Sequence, residues 1–323
     1  MILEVKNLTT AFKTSSGSVS AVNNISFTLS EGEILGLVGE SGSGKSVTAL
    51  SIMRLLPEPN GQIESGEVLL NRKDLLKLSE KEMCKIRGNE LSMIYQEPMT
   101  ALNPVFTVGQ QIGEIIKTHE GIKGKHLKER VIQLLQSVQI PNPRESFKKY
   151  PHELSGGMRQ RIMIAMALCC NPKVLVADEP TTALDVTIQA EILDLLISLS
   201  TKLKTSIIFI THDLDVIAEI ADKVAVMYAG KIVEECNVLE FFDNPLHPYS
   251  QGLMFSRPNN KTENGRLFSI PGMVPSAYNL PLGCAFSKRC SKCIPVCLEK
   301  VPNLIDKKNN HRVSCWLYEE NEG

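Results

Sequence analysis

The stretch that most constrains this chain is Gly39-Glu40-Ser41-Gly42-Ser43-Gly44-Lys45-Ser46, which fills every fixed position of the pattern G-x-x-x-x-G-K-[ST]. Before it, Ile34-Leu35-Gly36-Leu37-Val38 has the length and composition of a buried strand, and from Val47 onward the apolar residues recur at helical spacing. A strand that turns through glycines into a helix points its backbone N–H groups and the positive end of the helix dipole at a phosphate. Lys45 then reaches the β- and γ-phosphates, and the Ser46 hydroxyl is placed for Mg²⁺. The pattern predicts an α/β core with a nucleotide site.

With 323 residues the chain is long enough for about two domains, and its 43% hydrophobic and 22% charged content is that of a globular protein. The 35 basic residues are balanced by 36 acidic ones, so the charge favours no nucleic-acid partner. The densest basic stretch, Lys117 to Arg130, also holds Glu120 and Glu129 and reads as a solvated face. No apolar run reaches the ~18 residues of a membrane span, and the first residues lack the charged and apolar regions of a signal peptide. The expected location is therefore cytoplasmic. Nine cysteines in that setting point to packing, metal binding or redox chemistry rather than disulfides.

The first thirty residues alternate apolar and polar with β-branched enrichment, which predicts antiparallel strands, with Phe12 on the first of them. An aromatic there can stack on a base or pack as an edge residue. Ser65-Gly66-Glu67-Val68-Leu69-Leu70 and Leu91-Ser92-Met93-Ile94-Tyr95 read as further strands, the second ending at Gln96. From Glu97 to about Tyr150 the pattern turns helical, broken by Asn103-Pro104 and Pro141-Asn142-Pro143, and reads as a helical insertion. Leu154-Ser155-Gly156-Gly157-Met158 then opens a helix whose start suits either an anion or an ordinary N-cap. Val174-Leu175-Val176-Ala177 runs into Asp178-Glu179, two carboxylates at the end of a strand, where α/β sheets present ligand groups. Ser206-Ile207-Ile208-Phe209-Ile210 ends near His212, within reach of a γ-phosphate.

In this order the motifs resemble the ATPase subunit of an ATP-binding cassette transporter, and the Leu154 stretch is the discriminating one. The resemblance covers most of residues 1–250 and implies an α/β P-loop NTPase: a RecA-like core, an antiparallel β subdomain and a helical subdomain at about 97–160. It implies a head-to-tail pair of cassettes, each ATP lying between one chain's phosphate loop and the other chain's signature. Carried over by residue, Phe12 stacks on adenine, and Gly39, Ser41, Gly42, Ser43, Gly44, Lys45 and Ser46 hold the phosphates. Ser46, Gln96 and Asp178 serve Mg²⁺. Glu179 is the general base, and His212 holds the γ-phosphate and attacking water. Ser155, Gly156, Gly157 and Asp185 act on the partner's nucleotide. Met158 departs from the commonest signature, which has Gln there, and resembles the branch that imports peptides. Gln96 to Pro104 and Asn244 to Ser250 look like the oligopeptide, dipeptide and nickel import subfamily.

Residues 251–323 form a separate cysteine-rich extension, with Cys284, Cys290, Cys293, Cys297 and Cys315 in 32 residues. The physical candidates are a thiolate-bound metal or an iron–sulfur cluster. The spacing Cys284-x5-Cys290-x6-Cys297-x17-Cys315 resembles the extension of the peptide importers, in which a [4Fe–4S] cluster can be bound; Cys293 makes an alternative set. Cys84, Cys169, Cys170 and Cys236 read as packing or surface thiols; Cys236 stands where the family resembled usually has Gly, which implies a turn that tolerates a side chain.

The expectation is an ATP-hydrolysing subunit that powers oligopeptide or dipeptide import. Its implied partners are a second ATPase subunit in a heterodimer, two transmembrane permease subunits and an extracytoplasmic solute-binding protein, which places it at the cytoplasmic membrane face. Import of nickel or another metal complex is the alternative within the class. A soluble cassette ATPase outside transport is the alternative from another class, opposed by the single cassette and the neutral charge.

Overall fold

The computed structural model describes residues 1–15, 17–96, 101–181, 185–257, 269–307 and 310–319. It divides into two compact units. The first comprises Met1–Ile2, Ser30–Gly32 and Lys77–Ile208, and the second Leu3–Leu29, Glu33–Leu76 and Phe209–Gly323.

The second unit opens with two long strands, β1 (Leu3–Thr14) and β2 (Gly17–Leu29), paired antiparallel. With β4 (Gly61–Leu70) and β5 (Lys73–Asp74) they form a four-stranded sheet in the order β2-β1-β4-β5. Leu3, Val5, Leu8, Val22, Ile25, Phe27 and Leu29 are buried at 1% exposure or less, the face that the alternation in the sequence marks. β3 (Ile34–Val38) is buried at all five positions, as a strand covered on both faces must be. It pairs parallel with β9 (Lys223–Tyr228), and β9 pairs antiparallel with β10 (Lys231–Asn237). Two short strands, β11 (Ile305–Asp306) and β12 (Arg312–Val313), extend this unit's sheet to the order β11-β12-β10-β9-β3. Residues from the cysteine-rich tail thus complete a sheet of the unit that carries the phosphate loop.

β8 (Ser206–Thr211) is completely buried, and the division between the units falls within it. In the first unit the strand order is β8-β7-β6, where β6 (Leu91–Ile94) and β7 (Val174–Asp178) run parallel. Helices Val108–His119, Gly124–Ser137 and Pro143–Ser146 occupy the region expected to be helical. Thr107 starts the first of them with a capping box, accepting from the Gln110 N–H while the Gln110 side chain returns to the Thr107 N–H. The helix Gly156–Leu168 buries Ile162, Met163, Ile164, Ala165 and Leu168, so it is enclosed on most sides. Among the described residues no helix is long and apolar enough to cross a membrane.

Candidate functional site

In the second unit, Val38 ends β3 and the helix Lys45–Met53 begins at the motif lysine. Between them the chain closes around the Lys45 ammonium, which donates to the Gly39 carbonyl at 2.7 Å, the Glu40 carbonyl at 3.0 Å and Ser43 Oγ at 3.4 Å. Gly39 is required by contact: with φ 151° its position leaves no room for a Cβ, which would lie 2.2 Å from the Met227 carbonyl oxygen. Gly44, in the left-handed region at φ 105°, forms the N-cap, so the first turn keeps its N–H groups for a ligand. Ser43 is fully buried and accepts from the Gly230 N–H at 2.9 Å, which ties the loop to the β9–β10 turn. Ser41, Gly42 and Ser46 are exposed on the loop and the first helical turn.

His212 follows β8 and is exposed. It lines a cavity of about 340 Å³ together with Val38, Gly39, Glu40, Asp213 and Arg257. The structure therefore brings the predicted γ-phosphate residue and the start of the phosphate loop onto one cavity. Phe12, half-buried on β1, pairs with Gly61 of β4, whose Cβ would approach the Phe12 ring at 3.2 Å.

In the first unit, Asp178 is the last residue of β7 and 5% exposed. Glu179 follows in the left-handed region at φ 45°, sparsely populated for a residue with a side chain. Its Oε2 accepts from the Gln96 side-chain amide at 2.8 Å, so two residues picked out separately in the sequence meet. The backbone beyond is held by the Gln160 side-chain amide, which donates to the Pro180 carbonyl, and by Gln189, which donates to Thr181 Oγ1 at 3.1 Å. Ser155 is the N-cap of helix Gly156–Leu168 and accepts from the Met158 N–H at 3.3 Å, with Ser155 and Gly156 exposed. Ordinary capping and exposed N–H groups therefore coexist here. Asp185 is exposed and precedes the helix Val186–Leu203. Ala183, Leu184 and the stretch Glu97–Thr100 lie outside the described residues.

The tail has a second constellation. Cys284, Cys290, Cys297 and Cys315 line one small cavity with His247, Phe286 and Trp316, and Cys293 is not on its wall. The Cys284 N–H donates to the Cys297 carbonyl at 2.8 Å, bringing two of the segments together. Burial pushes the Cys284 and Cys315 thiols up to about 11 each, and neighbouring thiols add to this. The Cys293 thiol donates to the Ile294 carbonyl at 3.7 Å and also lies within hydrogen-bonding reach of the Cys297 thiol.

Glu234, Cys236 and His311 form the only group of three candidate ligands mutually within 4.8 Å among the described residues. Its bonding is that of an anchor: Glu234 accepts from the Leu246 N–H at 2.7 Å and the His247 N–H at 2.8 Å, and His311 Nε2 meets Glu234 Oε1 at 2.7 Å. Cys236 is buried within strand β10, which bears out packing, and not in the turn that the family resemblance implied; it pairs with Val224 of β9.

Sequence reasoning missed the residues that hold the loop from outside. The Tyr249 hydroxyl accepts from the Glu40 N–H at 2.8 Å, and Arg289 pairs with the Glu40 carboxylate. Tyr249 lies in the Asn244–Ser250 stretch already singled out, but its partner is 209 residues away.

Residues 22–182 match the ABC transporter family, and residues 233–297 match the oligopeptide/dipeptide transporter C-terminal region. The chain belongs to the ATP-binding subunits of ABC transporters, in the oligopeptide/dipeptide branch. It is 51% identical over 319 residues to the oligopeptide transport ATP-binding protein AppD of Bacillus subtilis, covering 99% of this chain and 97% of that protein. It is 49% identical to the dipeptide transport ATP-binding protein DppD of the same organism, covering 99% of this chain and 95% of DppD. Among solved structures it resembles the dimeric post-hydrolysis state of the cassette MJ0796 bound to ADP and Pi. There the TM-score is 0.65 at 27% identity, covering 73% of this chain and 98% of that one.

Proposed function

We infer that this subunit binds and hydrolyses ATP to power the import of oligopeptides or dipeptides through a membrane permease. The observation that carries the ATP reading is the loop Gly39–Lys45, closed around the Lys45 ammonium beside the cavity that His212 lines. Lys45 supplies positive charge where the transferred phosphoryl group develops negative charge. Glu179, oriented by Gln96, is the base that takes the proton of the attacking water, and His212 keeps the γ-phosphate and that water in line. Ser46, Gln96 and Asp178 would hold Mg²⁺, which when bound neutralises charge on the phosphate oxygens. Asp178 fits that role by position, as a buried carboxylate at the carboxyl end of a core strand, where α/β sheets present ligand groups.

Phe12 stacks on the adenine. The Ser155-Gly156-Gly157 start, exposed at its first two residues, and Asp185 serve the nucleotide of a second cassette, a related subunit in a heterodimer. Two permease subunits and a solute-binding protein complete the complex, and the subunit sits on the cytoplasmic face of the membrane through the permease. The cassette spans residues 1–250, with helices at about 97–160, and residues 251–323 are the extension.

The extension holds a [4Fe–4S] cluster through Cys284, Cys290, Cys297 and Cys315. These four thiols share one cavity wall. Four thiolates are the ligand shell that such a cluster takes.

The test is peptide uptake into vesicles carrying the reconstituted complex. ATP-dependent accumulation of a labelled oligopeptide is expected, lost on Glu179→Gln. Uptake that proceeds equally without ATP, or with this variant, overturns the reading.

A further inference from the structure

Arg289 lies in the short turn Ser287–Arg289, directly before Cys290, yet its guanidinium leaves the cysteine lobe. Nη1 donates to Glu40 Oε2 at 2.7 Å and Nη2 to Glu40 Oε1 at 3.0 Å, a bidentate pair with a residue of the phosphate loop. The arginine side chain is only 6% exposed. Its remaining donors are also used: Nη1 to the Tyr228 hydroxyl at 3.3 Å, Nε to the Pro271 carbonyl at 3.0 Å and Nη2 to the Ile270 carbonyl at 3.3 Å. The guanidinium carbon stands 5.8 Å from the centre of the Tyr228 ring and 5.9 Å from that of Phe286. A planar fork held at every donor has little freedom to lose, which makes its pairing with a carboxylate specific.

Glu40 is restrained at its other groups as well. Its N–H donates to the Tyr249 hydroxyl at 2.8 Å, and its carbonyl accepts from the Lys45 ammonium at 3.0 Å and the Ser43 N–H at 3.2 Å. The ion pair is therefore linked, through one residue, to the lysine that grips phosphate. A carboxylate on a phosphate-binding loop also repels a polyphosphate, more strongly where the dielectric is low. Arg289 offsets that charge. Without it Glu40 is left half-buried and unpaired beside the incoming anion.

We propose that Arg289 is a positioning residue of the nucleotide site, through which the cysteine lobe sets the affinity for ATP. The route is short: the Arg289 N–H donates to the Phe286 carbonyl at 2.9 Å and the Cys290 N–H to the Ser287 carbonyl at 3.3 Å, so displacing the Cys290 thiol moves the turn that aims the guanidinium. The proposal rests on reading Gly39–Ser46 as the ATP site, and its second arm on the four-thiol site.

The test is calorimetric titration of the full-length chain with ATP. Arg289→Gln is expected to raise Kd about tenfold, equivalent to about 1.4 kcal/mol. Arg289→Lys keeps the charge but loses the fork and is expected to recover only part of the affinity. Combining Arg289→Gln with Glu40→Gln removes the unpaired carboxylate and is expected to recover most of it. Cys290→Ala is expected to weaken ATP in the wild-type background and to add nothing in the Arg289→Gln background. A wild-type Kd for Arg289→Gln, even with a lowered melting temperature, reduces Arg289 to packing and overturns the proposal. Additive effects of Cys290→Ala and Arg289→Gln overturn the route from the cysteine lobe. Should Lys45→Ala bind ATP like the wild type, the loop reading fails instead, independently of Arg289.

Discussion

Gln96 donates its side-chain amide to the Glu179 carboxylate at 2.8 Å, linking the second residue past β6 to the residue just past β7. Glu179 also stands at φ 45°, so its backbone and its side chain are both held in one uncommon arrangement. A base fixed in this way needs little reorganisation when a water is presented to it. Glu179→Gln keeps the size and the hydrogen-bonding capacity but removes the basicity. Single-turnover hydrolysis in the assembled transporter is expected to fall by about 10²–10⁴-fold, with ATP binding retained. Wild-type turnover would remove Glu179 from the reaction.

The phosphate loop allows a direct comparison of two glycines. Adding a Cβ at Gly39 places it 2.2 Å from a backbone carbonyl, an atom that cannot swing away. At Gly42, φ is 78° and no atom lies within 4 Å of the added Cβ, so only the conformational penalty applies. We expect Gly39→Ala to lose about 3–4 kcal/mol of stability and Gly42→Ala about 1–2 kcal/mol, as read from urea unfolding midpoints. Equal losses would mean that the loop relaxes away from Met227 at little cost.

Five cysteines lie in the tail, but four share a cavity. Cys297→Ser is therefore expected to abolish bound iron and acid-labile sulfide in protein purified without oxygen. Cys293→Ser is expected to leave both in place, because Cys293 does not line that cavity. Loss of iron in both variants would show that the ligand set was drawn wrongly, and iron in neither wild type nor variants would remove the cluster.

How much of this was legible follows from the range of the interactions. The phosphate loop and the strand-end carboxylates are local patterns, because a glycine turn and a strand end each place particular residues at short intervals. β3 and β8 were readable because strands buried on both faces are apolar throughout. The Arg289–Glu40 pair spans 249 residues and involves two residue types that are ordinarily solvated, so no pattern in the chain announces it. Cys236 misled for a related reason: its place in β10 depends on pairing with β9, not on its neighbours in sequence. The sheet extension β11–β12 escaped notice because strands of two residues have no period to detect.

The same extension yields a pH dependence. His311, only 3% exposed, sits beside β12 with Nε2 2.7 Å from Glu234 Oε1 and Nδ1 3.6 Å from Glu240 Oε1. Burial acts to lower its pKa, but the hydrogen bond and charge of Glu234, with the charge of Glu240, outweigh it and leave the value above the ordinary 6.5. The charged form is thus favoured in the folded state. The stability that the pair contributes is present in full below the unfolded pKa and is lost as the pH rises through the raised folded value. His247, the other buried imidazole at Glu234, is pushed down to about 4 by burial and stays neutral across this range, so it does not mask the effect. We expect His311→Gln to cost about 2 kcal/mol at pH 6 and clearly less at pH 9, measured by urea unfolding at both values. A penalty that stays constant or grows with pH would mean that His311 anchors the tail as a neutral hydrogen-bonding group.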